Sequence, residues 1–114
     1  MNTLILTGNL GADPESFFSP NNGSQIVTFS MAFRSTKDKS DNWIKVTCFN
    51  KTAELAEKHL HKGARVGVTG ILDQDKWETD SGETRSTLKL IANSIEFIKT
   101  DGRGFDGNTD DIPM

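Results

Sequence analysis

The chain has 114 residues, about a third of them apolar, which makes one small domain able to bury a core without disulfide or metal staples. A single cysteine, Cys48, excludes an internal disulfide, and no apolar run approaches the length of a membrane span, so a soluble cytoplasmic protein is expected. The formal charge of −3 alone argues against a nucleic-acid ligand, yet residues 1–99 hold twelve Lys/Arg and twelve Asp/Glu, and the whole deficit lies in residues 100–114.

Leu4 to Leu10 reads as a first strand, in which Gly8, with Gly11 just beyond, marks a bend or a close approach of another backbone. Asp13-Pro14 turns the chain, and Asn21-Asn22-Gly23 is a second turn signal. Phe17 and Phe18 between them fit a core, a loop anchor or an interface equally well. Val27, Phe29, Met31 and Phe33 then alternate with Thr28, Ser30, Ala32 and Arg34, which predicts a second strand with Phe29 and Phe33 in the core. The polar residues 35–42 form a hairpin loop to the next strand.

Residues 43–51 are the most informative stretch. Alternate side chains of a strand point to opposite faces, so Trp43, Lys45, Thr47, Phe49 and Lys51 share one face, and Ile44, Val46 and Cys48 share the other. The second row is small and apolar and suits a core, with Cys48 as a buried hydrophobe and not a nucleophile. The first row alternates aromatics with lysines, the pattern that stacks unpaired bases while neutralising the phosphates that join them. A half-buried strand with amphipathic lysines, or a subunit contact, would use the same residue types.

Over residues 52–62 the period becomes helical, with Ala53, Ala56 and Leu60, and Leu55 alongside, on one side; Thr52 is the expected cap and Gly63 the stop. Val66 and Val68 open a further strand with Gly67 and Gly70 at bends, and Asp80-Ser81-Gly82 closes a polar hairpin carrying Trp77. Leu88, Leu90, Ile95 and Phe97 complete the last strand. Trp77 lies among Asp75, Lys76, Glu78 and Thr79, and a large aromatic on a polar hairpin points to a ligand or partner. Five strands, one helix between the third and fourth, and glycines at the bends predict an all-β protein: a five-stranded closed barrel of the oligonucleotide-binding (OB) type, with an open sandwich as the rival.

Residues 1–99 are therefore read as the folded domain and residues 100–109 as a flexible linker too polar and glycine-rich to pack. The last five residues, Asp110, Asp111, Ile112, Pro113 and Met114, join two acids to an apolar end, which a merely solubilising tail does not need. His59 and His61 have no Cys or acid at metal-ligand spacing, no carboxylate pair stands out, and no phosphate-cradling glycine motif or nucleophile elbow is present. Neither an enzyme nor a metal or other cofactor is expected.

Taken together these motifs resemble bacterial single-stranded DNA-binding proteins. The resemblance spans nearly the whole chain and is carried by Leu4 through Gly11 with Asp13-Pro14-Glu15, by Trp43 through Lys51, by Leu60 with Lys62-Gly63, by Gly70 through Lys76-Trp77, by Ser81-Gly82 with Arg85, and by the Asp-Asp-Ile-Pro tip. It implies an OB barrel assembled as a homotetramer, wrapped by single strands, in the cytoplasm and on the nucleoid. It also implies an acidic tip, Asp110 to Met114, that docks replication and repair enzymes. Position by position, Trp43, Phe49 and Trp77 match the family's base-stacking aromatics, and Lys45, Lys51, Lys62 and Arg85 match positions that are commonly basic.

The chain departs from the family at several places. It has no aromatic at Ser35-Thr36-Lys37, where many members carry another tryptophan, and it has Asp73 and Asp75 where members often carry arginines; both changes are expected to weaken DNA affinity. Ile44 replaces a frequent histidine at a subunit contact, and Met114 a terminal phenylalanine. The expected function is sequence-nonspecific binding of single-stranded DNA in replication, recombination and repair. The alternative is an OB-fold adaptor of the replication-restart machinery with DNA secondary, and RNA also fits stacking faces that do not read the 2′-hydroxyl.

Overall fold

A computed structural model describes residues 1–35, 37 and 42–99. The expected linker and tip, and most of the loop between the second and third expected strands, lie outside the described residues. The elements are β1 (Leu4–Leu10), β2 (Glu15–Phe18), β3 (Gln25–Phe33), β4 (Asn42–Phe49), α1 (Asn50–His59), β5 (Arg65–Glu78) and β6 (Thr84–Lys99). Among the described residues, no helix is long and apolar enough to cross a membrane.

Five of the strands close into a ring. The sheet runs β1-β5-β6-β4-β3, and β3 returns to β1 through Asn9 opposite Ala32 and Leu10 opposite Met31. All neighbours are antiparallel except β4 and β6. This is the expected OB-type barrel, which leaves its ring strands without a long free edge.

Closure requires backbones to approach where a side chain would stand. A Cβ on Gly8 would overlap the Ala32 carbonyl of β3, and one on Gly70 would overlap the Ile91 carbonyl of β6. The β5–β6 register slips by a residue next to Gly70, between Thr69 and Gly70. Such a bulge bends a strand and increases its twist, which a small ring needs.

The interior is filled by the inward rows of the strands: Leu10, Val27, Phe29, Met31, Val46, Cys48, Val66, Val68 and Leu90 are all buried, and α1 adds Ala53 and Ala56. The Ile44-Val46-Cys48 row faces inward as expected, with Ile44 packed against the core. Phe33, expected in the core, is only partly buried at the end of β3.

Three local expectations are corrected. A sixth strand, β2, beyond the five expected, occupies the stretch between the two turn signals and pairs with the first half of β3, from Glu15 opposite Thr28 to Phe18 opposite Gln25. The helix begins two residues early, without a Thr52 cap: Asn50 adopts φ 54°, Phe49 occupies the N-cap position, and no side chain caps the end. Asn tolerates that left-handed geometry better than most residues, so the chain can reverse sharply out of β4. The helix also ends at His59, short of the expected Lys62; Leu60 is buried just beyond it, and Leu55 is exposed. The following turn is tied to β1, because the Gly63 N–H donates to the Leu10 carbonyl at 2.9 Å and the Leu10 N–H to the Ala64 carbonyl at 2.9 Å.

Burial pushes the Cys48 thiol up from 9.0 to about 12. The folded state thus keeps its proton over a range in which the unfolded chain has lost it, so the stabilisation is complete below pH 9 and erodes as pH rises towards about 12. The stability advantage of the parent over Cys48→Ala is expected to shrink by roughly 1.4 kcal/mol per pH unit above pH 9. Urea unfolding of both proteins at pH 8, 9 and 10 measures it, and a constant difference contradicts it.

Candidate functional site

Directly opposed residues of neighbouring strands carry their side chains on the same side of a sheet, so the register maps the barrel's outer face. One row crosses four strands: Asp73 on β5, Lys89 on β6, Lys45 on β4 and Ser30 on β3. The next holds Ile71, Ile91, Thr47, Thr28 and Glu15. A further row holds Phe49, Ile26 and Phe17. On the hairpin formed by β5 and β6, Trp77 stands opposite Arg85, two steps along the same side from Asp75 and Thr87.

Trp43, Lys45, Phe49, Trp77 and Arg85 therefore share one continuous outward face. Its aromatics are unusually open for their size: Trp43 is 56% exposed, Trp77 49% and Phe49 41%. Thr47, expected to be exposed among them, is instead buried at 7%, between Thr28 and Ile91 on its flanking strands.

Trp43 has a defined seat. A methyl group on Gly11 would overlap its ring, so the indole lies directly over the chain leaving β1, which the Gly11 N–H ties to the Ser30 carbonyl at 3.1 Å. Beside that seat, Ala12, Asp13, Glu15, Thr28, Ser30 and Lys45 line a groove of about 300 Å³. Asp13 also accepts a hydrogen bond from the Lys62 N–H at 2.7 Å, which brings the exposed Lys62 turn to the rim of the face.

Lys51 is placed differently from expectation. It lies in the first turn of α1, not at the end of β4, so strand alternation does not align it with Lys45. It is exposed, on a turn whose buried residue is Ala53. The residues Asp110, Asp111, Ile112, Pro113 and Met114 lie outside the described residues.

Two ion pairs set the local electrostatics. Lys89 Nζ stands 3.0 Å from Asp75 Oδ1, and Arg85 Nη2 stands 3.3 Å from Glu83 Oε2. The Arg85 pair is exposed and the Lys89 pair half-exposed, on its Asp75 side; surface pairs contribute about 0 to 1 kcal/mol and are screened by salt, so either cation can exchange its partner for another anion. The Asp73 carboxylate accepts the Gln74 N–H at 2.8 Å. Among the described residues there is no cluster of three or more His, Cys, Asp or Glu that could hold a metal. His59 packs edge-on against Phe97, with ring centroids 5.2 Å apart, and serves to pin α1 to β6.

Two members of this face were not singled out from sequence. Lys89 was legible as the polar residue between Leu88 and Leu90 in an alternating run, opposite in direction to the buried Leu90. Phe17 was not, because its outward direction depends on a strand that the turn residues around it conceal.

Residues 1–98 match the family model described as the Single-strand binding protein family. The match spans the barrel from its first strand into the end of its last.

If Gly11 is the seat of Trp43, Gly11→Ala displaces the indole without touching the core. In a Trp77→Phe background, Trp43 emission is expected to shift in wavelength and intensity, with a thermal midpoint within a few degrees of the parent. An unchanged spectrum contradicts the seat.

Proposed function

The chain belongs to the single-strand binding protein family, and we propose that it coats single-stranded DNA without regard to sequence, through the face that carries Trp43, Lys45, Phe49, Trp77 and Arg85. Members of the family bind DNA and catalyse no reaction. The observation that carries the assignment of the site is the register: three open aromatics and their cationic neighbours stand on one side of adjoining strands.

Bases splayed from the strand stack on Trp43, Phe49 and Trp77, each contributing on the order of 1 to 3 kcal/mol by truncation. Lys45, Arg85 and Lys89 neutralise the joining phosphates, with Lys62 at the rim and Lys51 beyond Phe49. The mechanism is competition, because a coated strand can neither re-pair nor be cut. We assign the protein to strands exposed in replication, recombination and repair, within the cytoplasm and nucleoid. Residues 1–99 bind DNA, and the tip 110–114 recruits partner enzymes through the linker 100–109. A homotetramer fits this reading, and the exposed Ile5, Leu72 and Leu88 supply apolar surface for subunit contacts.

The decisive experiment titrates the two tryptophans with long oligothymidylate at low and moderate salt. Strong, saturable, salt-sensitive quenching is expected, with none from duplex of equal length. Absence of quenching would return Trp43 and Trp77 to a protein partner, as the adaptor reading requires.

Asp75 competes with phosphate for Lys89 in this reading. Asp75→Asn is expected to tighten oligothymidylate binding several-fold at low salt and to steepen the dependence of log K on log salt by about 0.7, the increment for one further phosphate contact. Equal affinity and slope in the two proteins would show that Lys89 does not meet the strand.

A further inference from the structure

We propose that Phe17 is an additional base-stacking platform at the far end of the DNA-binding face. The inference rests on the assignment of that face and extends it across the barrel to β2.

Phe17 opposes Ile26, and Ile26 opposes Phe49, so the three side chains form one row on the outer side of β2, β3 and β4. Phe17 is 48% exposed, comparable to Trp77 at 49% and more open than Phe49 at 41%. Two strand spacings, about 10 Å, separate Phe17 from Phe49 along the row, a span that a strand with unstacked bases bridges readily. Ile26 between them is only partly buried, so the floor stays apolar and accessible.

The edge strand holds Phe17 in place. β2 is paired to β3 over its whole length, and the Gln25 side-chain amide donates to the Ser16 hydroxyl at 3.1 Å on the opposite side of that pairing. Phe17 therefore points to the DNA face while its neighbour Phe18, paired with Gln25, points to the other. An aromatic exposed at a sheet edge is otherwise a liability for self-association. Continuity with the Trp43–Phe49 face identifies an unpaired base as its occupant.

Charge decides how the strand passes. Glu15 lies on the same side of β2 as Phe17 and lines one groove with Asp13 and Lys45, so the two acids repel phosphates there and Lys45 draws them. The base, which is neutral, turns inward over Phe17 while the backbone stays towards Lys45. The platform also compensates for the loop between β3 and β4, where Ser35, Thr36 and Lys37 offer no aromatic.

The test compares Phe17→Ala with Phe18→Ala, using Trp43 and Trp77 as reporters of oligothymidylate binding. Phe17→Ala is expected to weaken binding by about fivefold or more, with quenching amplitude retained, and Phe18→Ala to leave affinity unchanged. A second variant reads the site directly without truncation: Phe17→Trp in a Trp43→Phe, Trp77→Phe background places the one fluorophore at position 17. Quenching of that fluorophore by oligothymidylate supports the platform. Unquenched emission while a labelled strand still binds overturns it and leaves the assigned function standing. Parental affinity of Phe17→Ala together with a lower oligomeric state also overturns it, in favour of a second copy of the chain as the occupant. If the original tryptophans are not quenched either, the assignment of the whole face fails, and the platform with it.

Discussion

The approach of β1 to β3 at Gly8 is the constraint on which the rest of the molecule depends. There the Ala32 carbonyl lies where any side chain on residue 8 would stand, and only at the adjoining pairs, Asn9 with Ala32 and Leu10 with Met31, does the sheet join its own beginning. Once joined, the ring strands turn one row of side chains into the barrel and the other outward. Leu10 and Met31 go inward and are buried, while Ala32 goes outward beside Trp43. The same closure leaves the first half of β3 uncovered by β1, and β2 fills that gap. The outward face proposed to bind DNA, and its proposed extension to Phe17, are thus consequences of where the ring shuts.

Magnitudes decide what such a face can do. Its ion pairs are Arg85 with Glu83, which is exposed, and Lys89 with Asp75, in which the lysine is partly buried, and surface pairs contribute about 1 kcal/mol or less to the fold. They hold the cations loosely and near the aromatics. Stacking of a base on an exposed indole or phenyl ring contributes about 1 to 3 kcal/mol for each platform and is insensitive to which base arrives. The proposed mode would discriminate single strands from duplex, whose bases are already stacked, without reading sequence.

Much of this was legible because alternation in a strand is a local property. The bounds of β1, the inward row of β4, the outward Trp43, Lys45 and Phe49, and the hairpin carrying Trp77 all follow from side chains two residues apart. What escaped depends on neighbours or backbone turns that alternation along one strand does not reveal. Glu15-Ser16-Phe17-Phe18 has no alternation of its own and becomes a strand only because β3 offers it an edge. Lys51 continued the alternating pattern, but Asn50 turns the backbone through a left-handed conformation, so the pattern outlasts the strand. Thr47 looks like a surface residue in the sequence and is buried by neighbours from β3 and β6.

The charge balance of the barrel bears on how a strand is captured. Twelve cations and twelve anions in residues 1–99 give no net field to draw DNA from a distance, and beyond about 8 to 10 Å salt screens what the local patches produce. In the proposed binding mode attraction starts at contact range, at Lys45, Lys89 and Arg85, where neighbouring carboxylates already occupy two of the three cations. For phosphate to take their place, the exchange of one anion for another must be nearly even, which exposed pairs allow. In that mode the net gain comes from the aromatics that the exchange brings within reach of the bases, so the carboxylate of Asp75 would temper affinity without removing the mode.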